Sequence, residues 1–351
     1  MGTRLLIVDD SALMRRQLKE LFSEAGDFDI LLARNGKEAV EMNLEFQPQV
    51  ITLDVNMPEM DGLTALATIM ATRPVPVVML SSLTEKGALA TFEALALGAV
   101  DYVAKPGGTI SLTLEKVHEE LLRKVRGAAR ARLQRKAPAA PASPSVSDTG
   151  ATRQEGPQEH RDDCLVLIGV STGGPGTLEQ ILPRLPADYP FPVVVAQHMP
   201  PAFTGPFAQR MNGICALEVV EVRHPMEIAK GHIYIAKGGA DVELTVRSDR
   251  LMVLPKPESA EYAWHPSVEH LGRTALRHCD ARHVIGVMLT GMGDDGASAF
   301  AELHQQGART IAQAEDSCVV FGMPRELIDR SGASLVLPTE LIATQLLDWA
   351  R

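Results

Sequence analysis

Five times within residues 1–122 the chain passes from a short aliphatic run to a stretch with helical apolar spacing. The strand candidates are 5–8, 30–33, 50–53, 75–80 and 100–104. Helical patterns such as 12–25 and 63–71 lie between them, and Asn35-Gly36 and Asp61-Gly62 supply turns. Strands joined through helices lie parallel, and a parallel sheet is covered by helices on both faces. The same topology decides where chemistry gathers, because residues just past the C-terminal ends of such strands meet in one crevice.

The rhythm resumes over 163–351, with apolar runs at 165–170, 193–196, 233–236, 242–246, 284–289, 310–312 and 335–337. The stretch 232–247, broken at Lys237-Gly238-Gly239, reads as a hairpin. The expected architecture is therefore α/β in both halves. A five-stranded parallel domain, 1–122, is joined by a linker, 123–162, to a doubly wound, mostly parallel sheet domain, 163–351, with one antiparallel hairpin. The linker opens with a basic run that reads as the solvated end of the last helix. An Ala/Pro/Ser-rich stretch without hydrophobic period follows, which cannot bury a core. With 351 residues there is chain enough for two full cores, and a formal charge of −10 argues against non-specific nucleic-acid binding. The cysteines show no C-x-x-C spacing and read as reduced structural thiols. No apolar run is long enough to span a membrane and the start lacks a signal-peptide profile, so a cytoplasmic protein without membrane insertion is expected.

In the first domain Asp9 and Asp10 follow the first strand and Asp54 ends the third. Ser81 and Ser82 follow the fourth, and Lys105 follows the fifth. Three carboxylates in one crevice repel unless they hold a hard cation, and Mg²⁺ favours a few carboxylates plus phosphate oxygens. A hydroxyl and an ammonium beside them suit a phosphoryl group. Any one of these residues could be a helix cap or a surface charge; their agreement across the strand ends points to a phosphate site. With its VDDSALMR, LDVNMPEMDG and YVAKP segments, the domain resembles a response-regulator receiver of flavodoxin-like fold. That resemblance implies Asp54 as phosphoacceptor, with Asp9, Asp10, Asp54 and the carbonyl of Asn56 as Mg²⁺ ligands. It further implies Ser81 as switch hydroxyl, Tyr102 as rotating aromatic, Lys105 as the phosphate-contacting ammonium, and a histidine kinase as phosphodonor.

In the second domain LVLIGVSTGGPG, residues 165–176, runs from a buried strand through Ser171-Thr172-Gly173-Gly174 into a helix begun by Pro175. Gly169, Ser171 and Gly173 satisfy G-x-S-x-G, the pattern of a nucleophile at a tight strand-to-helix turn. Two other readings of the stretch stand beside it: a helix cap at Ser171 or Thr172, and a phosphate cradle at the helix N-terminus. A serine hydroxyl needs a base, and a histidine base is best held by a carboxylate. His198 follows one apolar strand, and Asp294-Asp295 follows another through Gly291-Met292-Gly293, whose glycines free N–H groups for an oxyanion. His118, His160, His224 and His304 lie on helical patterns or in loops, and His265, His270, His278 and His283 lack metal-site spacing.

The order Ser…His…Asp departs from that of the α/β-hydrolases. It matches the catalytic domain of the chemotaxis protein-glutamate methylesterases (CheB-type), which the segments IGVSTGGP, AQHMP, LTGMGDDGA and CVVFGMPREL resemble. The resemblance implies Ser171 as nucleophile, His198 as base and Asp295, in preference to Asp294, as the acid. It also implies the Met292 N–H in the oxyanion site and Thr172 nearby. Two positions depart from the family pattern: His265-Pro266-Ser267-Val268-Glu269, and Ala236-Lys237-Gly238-Gly239. The expected function is a phosphorylation-activated hydrolase that demethylates γ-glutamyl methyl esters of chemoreceptors and deamidates receptor glutamines. Its partners would be methylated chemoreceptors and a chemotaxis histidine kinase. Mg²⁺ would serve the receiver and no cofactor the esterase. A receiver joined to a nucleotide- or effector-binding output is the alternative, although neither G-K-[ST] nor G-x-G-x-x-G is present; a DNA-binding output lacks its basic recognition helix.

Overall fold

The computed structural model describes residues 2–82, 84–105, 111–131 and 164–351. Most of the segment read as a linker, 132–162, lies outside the described residues. The N-terminal strands are β1 (Thr3–Val8), β2 (Phe28–Ala33), β3 (Val50–Asp54), β4 (Val77–Ser81) and β5 (Asp101–Ala104), ordered β2-β1-β3-β4-β5 with every pair parallel. They alternate with α1 (Ala12–Ala25), α2 (Gly36–Glu45), α3 (Gly62–Thr72), α4 (Glu85–Leu97) and α5 (Ser111–Ala129). The dipeptides read as turns are helix starts. Asn35 and Asp61 N-cap α2 and α3, each accepting a backbone N–H three residues on.

Helix α5 runs past residue 122, so the helix carries seven residues of the segment drawn as linker. That extension is solvated only in part: Arg126 is exposed, but the helix also buries a face. Val125 and Ala128 are buried, and the Lys124 ammonium is buried between Asp101, Glu120 and the carbonyl of Tyr102. Burial alone would push the lysine down, but the two carboxylates outweigh it and hold it above its ordinary range.

The second domain is built on seven parallel strands: β6 (Leu165–Val170), β7 (Val193–Gln197), β8 (Glu218–Val222), β10 (His232–Ala236), β13 (Val284–Met288), β14 (Arg309–Gln313) and β15 (Leu335–Leu337). Their order is β15-β14-β13-β6-β7-β10-β8. Helices α6 (Gly174–Ile181), α7 (Pro201–Asn212), α8 (Val268–His278), α9 (Ala297–Gln305), α10 (Met323–Asp329) and α11 (Thr339–Trp349) separate them. A small second sheet joins β9 (Met226–Glu227), β11 (Asp241–Arg247) and β12 (Arg250–Lys256), all antiparallel. The hairpin is thus β11–β12, turning at Ser248 and Asp249 with positive φ, and not the 232–247 stretch expected. The break at Lys237-Gly238-Gly239 instead sends the chain from the large sheet into the small one. Gly238 is needed there because a Cβ would lie 2.3 Å from the carbonyl oxygen of Met199.

The domains meet along α4, β5 and α5. Tyr102 stacks on Phe203 of α7 at 4.6 Å between centroids, and Phe92 of α4 packs on Phe207 at 5.5 Å. Farther along, a cavity of about 520 Å³ lies between α5 and the 319–321 segment. Among the described residues no helix is long and apolar enough to cross a membrane.

Candidate active site

Strands β13, β6 and β7 are adjacent, and strand order reverses beside β6, which opens a crevice at that edge. Ser171 follows β6, His198 follows β7, and Asp295 lies between β13 and α9. His198 Nδ1 is 3.1 Å from Ser171 Oγ, and its Nε2 is 2.8 Å from Asp295 Oδ2. All three are largely shielded from water: Ser171 and Asp295 are each 5% exposed, and the His198 side chain 9%.

Local sequence explains the fit. Gly169 lets Val268 press onto β6, since a Cβ there would lie 2.3 Å from its Cγ1. Gly173, at φ 78°, caps α6 without a side-chain bond, so neither Ser171 nor Thr172 serves as the cap. The Ser171 N–H donates to the Thr290 carbonyl at 3.0 Å. The buried Gln197 amide donates to the carbonyls of both Ser171 and His198, each at 3.0 Å. Thr172 is buried, and its carbonyl accepts from Thr290 Oγ1 at 3.0 Å.

Asp295 accepts from Ser267 Oγ, the Val268 N–H, the Glu269 N–H and His198. Burial pushes its carboxyl up, but the bond and charge of His198 and the N–H groups opening α8 win, holding it below the usual carboxylate range. Asp294 is placed differently: its side chain is 56% exposed and faces Arg330 at 3.5 Å. Met292 stands in a braced turn, where Gly291 donates to Val320 and accepts from Gly322 and Met323. Its methyl reaches α5 of the other domain, where a Cβ on Gly127 would lie 2.1 Å away.

Sequence reasoning missed several residues here. Trp264 lays its ring parallel to that of His198, at 5.8 Å and 5°, and Arg123 of α5 sits above the indole at 5.7 Å. Gln197, Thr290 and Ser267 brace the backbone or the acid. The only available signal was a polar residue ending an apolar strand, as Gln197 does. Of the two departures from the family pattern, Glu269 turns its carboxylate to the Ala299 N–H and Arg273, and Lys237 is exposed.

At the other crevice, one carboxylate oxygen each of Asp9, Asp10 and Asp54 lie within 4.8 Å of one another. Lys105 Nζ bridges Asp9 at 2.9 Å and Asp54 at 2.7 Å. Burial raises the Asp54 carboxyl above its ordinary value, Lys105 opposes it, and Asp9 adds to the rise. The Asn56 N–H bonds the same carboxylate. Ser81 Oγ donates to the Gly87 carbonyl at 3.0 Å, and Tyr102 is 2% exposed within the domain contact. None of the four cysteines is in a disulfide, and burial pushes Cys215 and Cys279 up to about 11 and Cys318 up to about 12, which disfavours the reactive thiolate at these three near neutral pH.

A carboxylate-and-ammonium pocket ends one parallel sheet and a hydroxyl–imidazole–carboxylate chain ends the next. Together they define a class, a signalling receiver joined to a hydrolase. Residues 166–346 match the CheB methylesterase family and residues 5–115 the response regulator receiver domain. The chain is 54% identical over 99% of its length to a protein-glutamate methylesterase/protein-glutamine glutaminase of Rhodospirillum rubrum, covering 96% of that protein. It is 43% identical to one of Archaeoglobus fulgidus, over 98% of this chain and 97% of that one. The catalytic domain of Thermotoga maritima CheB methylesterase aligns with a TM-score of 0.51 at 35% identity, covering 53% of this chain and 97% of that domain. The chain belongs to the CheB methylesterase family, with an N-terminal receiver. The nucleotide-binding output finds no support in these relatives.

Proposed function

We propose that the protein is a phosphorylation-activated methylesterase acting on γ-glutamyl methyl esters of chemoreceptors. The observation that carries this reading is the unbroken chain Ser171 Oγ–His198–Asp295. Ser171 Oγ attacks the ester carbonyl and its proton passes to His198 Nδ1. Charge gathers on the carbonyl oxygen, stabilised by the Met292 N–H, with Thr172 beside it. The C–O bond to methoxide breaks, His198 returns the proton, and methanol leaves. Water then attacks the acyl-enzyme, gives its proton to His198, and collapse restores Ser171 and yields glutamate. Asp295 holds the imidazole and stabilises its charged form. The same steps on glutamine release ammonia. None of these steps requires a cofactor.

In the receiver, Asp54 takes the phosphoryl group from a chemotaxis histidine kinase. The oxygen donors of Asp9, Asp10, Asp54 and the Asn56 carbonyl suit Mg²⁺, which neutralises charge during phosphoryl transfer. Lys105 then contacts the phosphate, Ser81 follows it, and Tyr102 reorients against Phe203. In this reading the α4–β5–α5 contact limits access to the crevice, and phosphorylation shifts the population towards release. The setting is the cytoplasm. The test is methanol release from methylated receptor membranes, with and without a small phosphodonor and Mg²⁺. Wild type should release methanol faster with the donor and Ser171→Ala should release none; release by Ser171→Ala would end the reading.

A further inference from the structure

Behind the Ser171–His198–Asp295 chain lies another buried carboxylate. Asp241 opens β11 and is 2% exposed. Its Oδ1 accepts from His265 Nδ1 at 2.8 Å and from the Ser267 N–H at 2.9 Å; its Oδ2 accepts from the Ser259 N–H at 2.9 Å. One side chain therefore pins three points of the 259–267 segment, which is neither helix nor strand. Two residues of that segment reach the site. Trp264 lays its ring on His198. Ser267 donates to Asp295 and N-caps α8, which turns the Val268 and Glu269 N–H groups onto the same carboxylate. Apolar packing could hold such a segment in place, but three hydrogen bonds to one buried carboxylate also fix its direction.

We infer that Asp241 is a positioning residue of the hydrolase, acting through Trp264 and Ser267 to set the ring plane of His198 and the acceptor geometry of Asp295. The inference rests on the reading of Ser171, His198 and Asp295 as the catalytic groups. His265 is its side-chain donor, so a residue that returns an N–H at the place of Nδ1 restores what a residue without one removes. A catalytic group displaced by about an ångström loses up to roughly 100-fold in rate.

The experiment uses the full-length protein with methylated receptor membranes, Mg²⁺ and a small phosphodonor. Asp241→Asn, near-isosteric, is expected to lower kcat roughly 10- to 100-fold with KM within about twofold. Labelling of Ser171 by a fluorophosphonate should slow by a similar factor. His265→Ala should follow Asp241→Asn, and His265→Asn should restore most of the rate. A folded Asp241→Asn protein with a lower Tm but unchanged kcat and labelling rate overturns the inference, because a purely structural anchor gives that result. If Asp241→Asn does not fold, the His265→Ala and His265→Asn pair decides: equal rates in the two overturn it. Ser171→Ala runs alongside. Should it release methanol, the site reading has failed; should it be inert while Asp241→Asn keeps full kcat and labelling, only the role of Asp241 has failed.

Discussion

Asp54 and Asp295 are both buried carboxylates at the C-terminal edge of a parallel sheet, yet burial prevails at one and is overcome at the other. Asp295 receives three hydrogen bonds from the start of α8 and a fourth from His198, and its carboxyl is held below the usual range. Asp54 shares one lysine with Asp9 and has Asp10 nearby, and its carboxyl is raised. The contrast fits the tasks proposed for them. A carboxylate that only orients an imidazole works best fully satisfied and immobile. One that must take up a phosphoryl group beside a cation is better left crowded, so that those ligands relieve it.

The sharpest way to break the comparison is Asp295→Asn. Whichever way the amide turns, its NH₂ faces N–H or O–H donors, leaving buried groups unmatched at a cost of about 1–3 kcal/mol. With the NH₂ turned to His198 Nε2, the imidazole takes the opposite tautomer, its Nδ1 can no longer accept the Ser171 proton, and methanol release should fall about 10⁴-fold. The stability loss carries a pH signature. A carboxyl held below its unfolded value adds stability that is complete above about pH 4 and disappears as pH falls through the folded value. The Tm gap between wild type and Asp295→Asn, measured by calorimetry, should therefore close on acidification. A gap constant from pH 7 to pH 3 would mean that the charge of Asp295 contributes nothing.

A smaller effect tests the contact that joins the two crevices. The Met292 methyl lies where a side chain on Gly127 would be. Gly127→Val should turn the Met292 side chain away, loosen the contact of α5 with the Gly291–Gly293 turn and raise methanol release without phosphodonor several-fold, shrinking the stimulation by phosphodonor correspondingly. An unchanged basal rate would show that the α5 contact does not restrict the site.

Fold class and strand ends were legible because parallel sheets write themselves as aliphatic runs, and the runs at 50–53 and 165–170 differ from β3 and β6 by at most one residue. The Ser171, His198 and Asp295 placement was legible for the same reason, each following such a run. The hairpin was misplaced because β10 and β11 flank a glycine-rich break that looks like a turn, whereas the true turn, Ser248-Asp249, lacks glycine altogether. Residues such as Trp264, Ser267 and Asp241 were not legible. Their roles depend on a loop from the small sheet folding back over the crevice, and neither apolar period nor spacing encodes that. Helix α5 misled in another way: its basic residues look solvated, but Lys124 finds Asp101 across a sequence gap that composition cannot see.

The smallest expected effect is also the one that separates the two carboxylates by sign. Asp295→Asn removes a satisfied charge and should destabilise. Asp54→Asn removes one of three crowded acids whose carboxyl is held above its ordinary value and leaves Lys105 its bond to Asp9, so in metal-free buffer it should raise stability, by less than Asp295→Asn lowers it. Mg²⁺ then reports the other half of the argument. A cation bound only by the folded form raises Tm with its concentration. Wild type should gain more from millimolar Mg²⁺ than Asp54→Asn does, because the amide keeps an oxygen but not the charge. If Asp54→Asn destabilises the metal-free protein as Asp295→Asn does, the first crevice is not strained in the way its crowding implies. Equal Mg²⁺ responses in the two proteins would separately remove Asp54 from the cation site.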